Sequence, residues 1–340
     1  MELLTLTQLK SRASESPLQA RIQAQITGIV EKQTKAGKPY LDIQLSDSLQ
    51  AISLKLWEDT KAYQQVNTLS KGKFVLAEGS WTQNDYGLNA DRLDISQLEA
   101  SAIDQLLSGD PDLAAFQQQE WDYILAQVDS LGDPRLKGLS LHFIDKFGEH
   151  MRRTAAARNY HHARRGGLVE HVAQMMRSAN AICQAYQELN RDLLICGILF
   201  HDCGKLWENS YPAESFEMPY HLAGELLGHI PMGIELVNHL WRQLEQSEGF
   251  QIETPTPSNS EVKLHLQHLI AAHHGEYAFG SPTLPRTPEA AALHYIDNLD
   301  AKLEMFRQGY REAPKVAEQI HERHRPLPAK LVTPLPPFTK

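Results

Sequence analysis

The first hundred residues alternate between apolar and polar positions, which is the pattern of half-buried β-strands. Five segments carry this alternation: Arg21–Val30, Tyr40–Leu45, Ala51–Trp57, Lys73–Trp81 and Gly87–Ile95. Between the third and fourth of them, Thr60–Leu69 is predicted to be helical. After about Gln97 the period changes to roughly 3.6 residues, which indicates helices. The first helices are predicted at Ser101–Leu107, Pro111–Val128, Asp133–Phe147 and His150–Ala157, and most of the chain after Gly166 follows the same pattern.

This order of elements predicts a multidomain protein. Five short strands with a helix before the fourth are the order of an OB-fold barrel. We therefore expect a five-stranded β-barrel of the OB-fold type over residues 1–98, a helical connector over 99–160, an all-α domain over 161–324 and a proline-rich tail over 325–340. The length of 340 residues agrees, because one compact core rarely grows this large. The tail cannot continue a helix and is expected to be an extended arm or disordered.

Composition and charge narrow the classes of protein. Hydrophobic residues make up 42% and charged residues 22%, which is ordinary for globular domains. No apolar run approaches the ~18 residues that a membrane span needs, and Met1–Lys10 lacks the features of a signal peptide. Cys183, Cys196 and Cys203 are odd in number and unevenly spaced, so we expect buried thiols. These features predict a cytoplasmic protein with no membrane association.

Histidine is concentrated in the helical part of the chain. All sixteen histidines lie at or after His142, and four helical segments place histidine or aspartate on an apolar face. These are His171, the pair His201-Asp202, the pair His273-His274, and Asp297. A single histidine on an apolar face is more often a core residue that bonds to a carbonyl. Four such segments favour a metal site, because burying the aspartates without a cation is costly and converging imidazoles and carboxylates suit a divalent ion.

The spacing of these residues resembles that of a known enzyme class. His171, His201-Asp202 and Asp297 resemble the H…HD…D signature of the HD-domain metal-dependent phosphohydrolases. Longer segments resemble the YhaM-type 3′→5′ exoribonucleases, which pair an N-terminal OB-fold with a C-terminal HD domain. They are Gly-Gly-Leu-Val-Glu-His171, Phe-His-Asp202-Cys-Gly-Lys, Leu-Gly-His229-Ile, His-His-Gly-Glu-Tyr-Ala-Phe-Gly-Ser-Pro282 and His-Tyr-Ile-Asp297-Asn-Leu-Asp-Ala-Lys302. The resemblance covers roughly Arg21–Tyr310 and implies that the 161–324 domain is an HD domain.

The resemblance also implies a set of metal ligands. It assigns a first ion to His171, His201, Asp202 and Asp297. A second ion would be held by His229 and His273, with His274 as a further candidate and Asp202 as the bridge. Manganese is the ion expected from the resemblance, and mixed imidazole and carboxylate donors suit Mn, Fe, Co or Ni better than Mg. Two ions fit phosphodiester cleavage, because one activates water and the other neutralises the leaving oxygen.

Candidate substrate contacts lie in both predicted domains. Lys205 lies three residues after Asp202. It either contacts a substrate phosphate during catalysis or is a cation that offsets the dipole at a helix end. A basic cluster lies before the first ligand helix and comprises His161, His162, Arg164 and Arg165. It either is a solvated loop or contacts phosphate or the RNA backbone, with His162 as the leading candidate and with Arg164 and Arg165 beside it. In the barrel, aromatic residues either stack on bases or pack the barrel: Tyr40, Trp57, Trp81 and Tyr86. Two glutamates near the ligands, Glu170 and Glu225, either hydrogen-bond to ligand residues or lie on helix surfaces, and we favour the surface.

The activity implied by the resemblance is hydrolysis of single-stranded RNA from its 3′ end to mononucleotides, with single-stranded DNA as an alternative polymer. Two other functions stay open at this point. One is an HD-type phosphohydrolase of nucleotides or cyclic dinucleotides, and the other is a non-catalytic nucleic-acid-binding module. The net charge of −9 gives no broad basic surface, but a metal and a local basic patch can replace it. The sequence also leaves a homo-oligomer open.

Overall fold

The computed structural model describes residues 1–84, 87–246 and 256–336 of the chain. These residues form two compact units. The first comprises Met1–Phe116 together with Tyr211–Met218, and the second comprises Gln117–Ser210 together with Pro219–Lys340. The stretch expected to be a separate connector, 99–160, is therefore divided between the two units at Phe116.

The first unit is a β-domain with the strand order of an OB-fold. Its strands are β1 (Glu2–Leu4), β2 (Leu18–Gln33), β3 (Pro39–Ser46), β4 (Ala51–Trp57), β5 (Phe74–Asn84) and β6 (Gly87–Gln97), and its helices are α1 (Leu6–Arg12), α2 (Lys61–Asn67) and α3 (Ala100–Leu107). The antiparallel order is β4-β3-β2-β5-β6, and β1 lies parallel to β2. The five predicted strands and the helix before the fourth are confirmed. The three-residue β1 and the helix α1 were not predicted.

Alternating burial along the strands builds the core of this unit. In β4, Ile52, Leu54 and Leu56 are buried while the residues between them are exposed. Trp81 is fully buried, and its indole Nε1 donates to the carbonyl of Ala20 at 2.9 Å. The indole is therefore a core element, so of the two alternatives for Trp81 the structure supports barrel packing.

The second unit is all-α apart from a small sheet near its end. Its helices are α4 (Pro111–Asp129, which begins in the first unit), α5 (Pro134–Met151), α6 (Gly167–Ala185), α7 (Arg191–Phe200), α8 (Leu222–Leu227), α9 (His229–Glu245), α10 (Asn259–Ala272) and α11 (Pro288–Glu312). Helix α7 is buried from Leu193 to Phe200, which explains its nearly continuous apolar sequence. The thiols are free, with Cys196 and Cys203 buried and Cys183 partly so.

The segment after α5 corrects one helix prediction. A helix was expected over His150–Ala157, but α5 ends at Met151 and the chain then turns. The Ala155 N–H donates to the Asn209 carbonyl at 3.0 Å, and the Ala156 N–H donates to the His162 carbonyl at 3.3 Å. These distant partners, together with complete burial of both alanines, override their local helix propensity.

Two leucines of the proline-rich tail are packed against the end of the second unit. Short strands β7 (Lys315–Ala317), β8 (Ile320–His321) and β9 (Leu331–Val332) form a sheet in the order β7-β8-β9. Leu327 and Leu331 are buried against Ala301 and Met305 of α11. The tail was expected to be an extended arm or disordered; its described residues 325–336 contain the short strand β9 and two buried leucines, and the rest of them are exposed. Among the described residues, no helix is long and apolar enough to cross a membrane.

Candidate metal centre

The ends of α7 and α10 place two histidines in the same way. His201 directly follows the last residue of α7, and its Nδ1 bonds to the Ile198 carbonyl at 2.7 Å. His273 directly follows α10, and its Nδ1 bonds to the Ile270 carbonyl at 2.8 Å. Since a carbonyl only accepts, Nδ1 carries the proton in both rings, and each Nε2 presents a lone pair. A proton fixed on the outer nitrogen in this way is usual for metal-ligating histidines.

Asp202 lies between two groups of histidines. Its Oδ2 is 3.2 Å from Nε2 of His201, and its Oδ1 is 3.5 Å from Nε2 of His229 and 3.6 Å from Nε2 of His273. One group of donors is His171, His201 and Asp202, and the other is His229, His273 and His274; within each group the donor atoms lie within 4.8 Å of one another. The carboxylate therefore has one oxygen directed at each group.

His229 and His274 complete the second group from separate elements. His229 is the first residue of α9, and Pro231 lies in the first turn, where a missing N–H has no helical partner to lose. Nδ1 of His229 bonds to Oε2 of Glu208 at 2.8 Å, and Nδ1 of His274 bonds to the Phe279 carbonyl at 2.7 Å. Nδ1 of each ring is thus hydrogen-bonded, and Nε2 again has a lone pair available for a metal.

His171, in the first half of α6, is held between two aspartates of α11. Its Nδ1 is 2.7 Å from Oδ2 of Asp300, and its Nε2 is 3.3 Å from Oδ1 of Asp297. Although burial alone would lower it, the carboxylates of Asp297 and Asp300 raise the pKa of His171 to about 10. Burial opposes ionisation of Asp297, but His171 and His201 hold the pKa of its carboxyl well below the usual range. Asp297 and Asp300 therefore favour positive charge beside them, which a bound cation can supply.

Buried polar atoms without hydrogen-bond partners indicate that these residues fit a divalent metal. Among the described residues, Nε2 of His201, Nε2 of His229 and Oδ1 of Asp202 are buried and have no hydrogen-bond partner. Buried polar atoms without partners are costly and rare in folded proteins. Of these three residues, Asp202 lines a small pocket of about 180 Å³, together with His273, His274 and Asp297.

Lys205 reaches the centre from a 3₁₀ turn, Cys203–Leu206, because α7 does not continue past Phe200. Its Nζ donates to Oδ2 of Asp202 at 2.6 Å and to the Ala156 carbonyl at 2.6 Å. The residue is buried and lines the pocket. The position three residues after Asp202 therefore faces the site, as expected, but through a tight turn and not through a helix.

The basic cluster before α6 divides into two roles. His162 is buried, and its Nε2 is 3.0 Å from Oδ2 of Asp300. Arg164 forms ion pairs with Glu170 and with Glu304, the latter at 3.4 Å. The expected solvated loop is therefore wrong for these two residues, since both form ion pairs with carboxylates of α6 or α11. His161, a weaker candidate than His162 from the sequence, is the member that lines the metal pocket.

Glu170 corrects another expectation. It was placed on a helix surface, yet it is buried and accepts hydrogen bonds from Arg164 and from Gln117, the latter at 2.8 Å. Although burial would raise it, bonds from His162 and Arg164 lower the pKa of Glu170 to about 2. Glu225 is exposed on α8, as expected. Arg165 is partly buried, and its carbonyl accepts from Gln117 at 2.9 Å.

The aromatic candidates of the first unit lie on neighbouring strands. Tyr40 and Trp57 are paired residues of β3 and β4, with ring centroids 5.3 Å apart. Trp57 is 38% exposed and lines a groove of about 480 Å³ together with Lys55 and Arg92. Tyr86 lies outside the described residues.

Two carboxylates that hold ligand histidines in place were not predicted. Glu208 and Asp300 orient the outer nitrogens of His229 and His171, and neither was named as a partner of a ligand. Asp300 lies three residues after Asp297, so one helical turn places both on the same side of α11. That spacing could have identified Asp300, whereas Glu208 meets His229 only through the fold.

Close packing at Gly204 gives a first prediction. A Cβ at this position would lie 2.0 Å from the backbone oxygen of His229, so Gly204→Ala must push the start of α9 away from the turn. We expect a loss of about 1–3 kcal/mol of unfolding free energy, as for other overpacked sites, together with a lower metal content. Urea unfolding and elemental analysis measure the two effects.

The matched control is Gly138→Ala in α5, where a Cβ would meet no atom within 4 Å. It is expected to add up to about 1 kcal/mol of stability through helix propensity. Wild-type stability and metal content in Gly204→Ala would contradict the packing argument.

Comparisons with known proteins agree with this centre. The HD domain family matches residues 168–302. The 3′-5′ exoribonuclease YhaM of Bacillus licheniformis is 33% identical over 274 residues, which cover 79% of this chain and 81% of that protein. The 3′-5′ exoribonuclease YhaM of Bacillus subtilis is 35% identical over 275 residues, which cover 79% and 81%. Among solved structures, the second OB-fold domain of replication protein A from Methanococcus maripaludis has a TM-score of 0.21 and 20% identity, covering 28% of this chain and 99% of that one.

The HD match contains all of the donors named above, and it defines the class: residues 168–302 are an HD domain of the metal-dependent phosphohydrolase type. Identity to the curated relatives extends well beyond that match, over about four-fifths of the chain and of each relative. The chain belongs to the YhaM family of 3′-5′ exoribonucleases. This confirms the resemblance, the fold class and the prediction of a hydrolytic enzyme.

Proposed function

We propose that this protein is a metal-dependent 3′→5′ exoribonuclease that hydrolyses single-stranded RNA to mononucleotides. The observation that carries the proposal is Asp202, whose two carboxylate oxygens face two separate groups of histidines. Membership of the YhaM family supports RNA as the substrate and the 3′→5′ direction of hydrolysis, because the relatives are named for 3′-5′ exoribonuclease activity. An RNA substrate also places the proposed activity in the cytoplasm.

The proposed ligands divide into two sets. His171, His201, Asp202 and Asp297 would hold one ion, and His229, His273 and His274 would hold a second, with Asp202 shared. Imidazole and carboxylate donors together favour Mn²⁺, with Fe, Co or Ni as close alternatives and Mg²⁺ as a weaker one. Two such ions supply a water nucleophile at neutral pH and neutralise charge on the leaving oxygen.

Side chains around the pocket are proposed to contact the substrate or to position the residues that do. Lys205 holds Oδ2 of Asp202 in place and brings a positive charge to the pocket, where a scissile phosphate would meet it. His161 lines the same pocket, and we propose that it contacts the terminal phosphate or sugar. We also propose that Arg165 contacts a phosphate of the RNA. His162 and Arg164 instead position Asp300, Glu170 and Glu304 through buried ion pairs.

The first unit offers a surface for the rest of the strand. Trp57 is partly exposed in a groove that is also lined by three cations, Lys55, Lys61 and Arg92, and by the carboxylates of Asp91 and Asp94. A base can stack on the indole there while phosphates meet the cations. Tyr40 supports the Trp57 ring from the neighbouring strand. We propose that this groove binds single-stranded RNA and also accepts single-stranded DNA.

The size of the metal pocket leads to an experiment on strand and direction. A pocket of about 180 Å³ admits one strand end and excludes a duplex. With Mn²⁺ and a 5′-labelled RNA, we expect labelled products that shorten progressively and stop a few nucleotides before a stable hairpin. A 3′-phosphate on the same RNA should slow the reaction.

Circular RNA is the decisive control for an end-dependent enzyme. It should resist cleavage, and internal cuts in it would contradict the exonuclease proposal in favour of a general phosphodiesterase. Nucleoside triphosphates and cyclic dinucleotides belong in the same panel. Faster hydrolysis of either than of RNA would move the function to a nucleotide phosphohydrolase.

A further inference from the structure

An exposed aromatic side chain stands at the rim of the metal pocket. Phe279 belongs to a 3₁₀ turn, Tyr277–Phe279, between α10 and α11, and it lines the pocket together with His274, His294 and Asp297. The residue is 60% exposed. No contact between its ring and another aromatic ring is found among the residues that the structure describes. The apolar Phe279 ring therefore lines a polar site and remains largely exposed.

The turn that carries this ring is tied to the metal centre. The Phe279 carbonyl accepts the bond from Nδ1 of His274 at 2.7 Å, and the Phe279 N–H donates to the Glu276 carbonyl at 3.1 Å. The Ser281 hydroxyl is 3.0 Å from the Ala271 carbonyl and 2.8 Å from the Thr283 carbonyl. Gly280 follows with φ of 83°, a conformation that favours glycine. These bonds fix the position of Phe279 before any substrate binds.

We propose that Phe279 stacks on the 3′-terminal base of the RNA and so positions the terminal nucleotide for cleavage. The inference rests on the proposed exoribonuclease function and extends it to the base. A nucleotide whose phosphate lies between the two donor groups must place its base within reach of the pocket rim, because base and phosphate belong to one nucleotide. Every base has a π-face, so stacking grips the end without selecting its sequence. An exonuclease that removes successive nucleotides of any sequence needs this tolerance.

The neighbouring Tyr277 makes the proposal specific. It lies in the same turn and is 63% exposed, but it does not line the pocket. The two residues therefore have similar exposure and the same backbone support, and differ in their relation to the metal centre. Leucine substitutions at the two positions form a matched pair.

The test compares an RNA that ends in a normal nucleotide with one whose 3′-terminal ribose lacks a base. Stacking contributes about 1–3 kcal/mol per base, so Phe279→Leu should lower kcat/KM for the normal RNA about 5- to 150-fold. The wild type should lose a similar factor on the abasic RNA, whereas Phe279→Leu should lose little more. Phe279→Trp should keep both the activity and the preference for a base. Tyr277→Leu should behave as the wild type, and the Mn content should be equal in all variants.

A binding measurement keeps the inference separate from the proposed activity. RNA ending in 2-aminopurine should lose fluorescence on binding, because stacking quenches it, and Phe279→Leu should remove the quenching. This is measured with Asp202→Asn as the background, so that no turnover occurs. The stacking role would be overturned if Phe279→Leu lost as much kcat/KM on the abasic RNA as the wild type does. It would also be overturned if Tyr277→Leu lowered kcat/KM for the normal RNA as much as Phe279→Leu does. RNA that the wild type fails to shorten would contradict the proposed function instead, and the fluorescence would still decide the role of Phe279.

Discussion

Asp202→Asn is expected to lower hydrolysis of RNA by about 1,000-fold or more while the helical fold persists. The carboxylate faces His201 through one oxygen and both His229 and His273 through the other. Asparagine has the same shape, but it is neutral and presents an NH₂ group on one side, so it cannot bridge two ions. Losing several kcal/mol of charge stabilisation corresponds to this factor, since each 1.36 kcal/mol of barrier is tenfold in rate.

Three measurements are needed for Asp202→Asn: the RNA degradation rate, far-ultraviolet circular dichroism and the bound Mn. The matched control is Asp145→Asn, an exposed aspartate on α5, which should keep wild-type activity. Lys205 should become the most perturbed neighbour, because it loses the Oδ2 partner at 2.6 Å. Retention of more than a few per cent of the activity at full metal content would rule out Asp202 as the shared ligand.

The fold of the barrel was predictable because its signal is local. In β4, every second side chain enters the core, so the burial pattern repeats the sequence pattern residue by residue. The metal donors were predictable for a related reason, since His201, Asp202 and His273 lie at the ends of strongly apolar helices. Their convergence on one centre was implied by the resemblance to HD-domain proteins, because spacing along the chain does not say which helix ends meet.

The errors arose where the decisive partner is distant in the chain. Glu170 has the sequence context of a surface residue, but Arg164 and His162 fold back onto it from the preceding loop. Of the two adjacent histidines, His162 turns toward Asp300 while His161 lines the pocket. Neither orientation follows from a helical period, because the loop before α6 has none. Long-range hydrogen bonds likewise ended α5 at Met151.

The partner of His229 gives the second prediction of large effect. Glu208 accepts a hydrogen bond from Nδ1 of His229 at 2.8 Å. Although burial would raise it, this bond holds the pKa of Glu208 below its usual range, so the carboxylate is ionised. An ionised partner increases the electron density of the imidazole and strengthens Nε2 as a donor. Replacing such a partner typically costs 10- to 100-fold in metal affinity or activity.

Glu208→Gln keeps an oxygen that can accept the same bond but removes its charge. We therefore expect Mn²⁺ to bind the His229–His273–His274 group about 10- to 100-fold more weakly, while the group of His171 is unaffected. Titration followed by electron paramagnetic resonance separates the two, because Mn²⁺ ions in adjacent sites couple. Glu225→Gln on α8 is the matched control, since Glu225 is exposed and should leave both affinities unchanged. Excess Mn²⁺ should restore most of the activity of Glu208→Gln, because the defect lies in occupancy. A variant that stays inactive at saturating Mn²⁺, with both ions bound, would show that Glu208 acts on the substrate and not through His229.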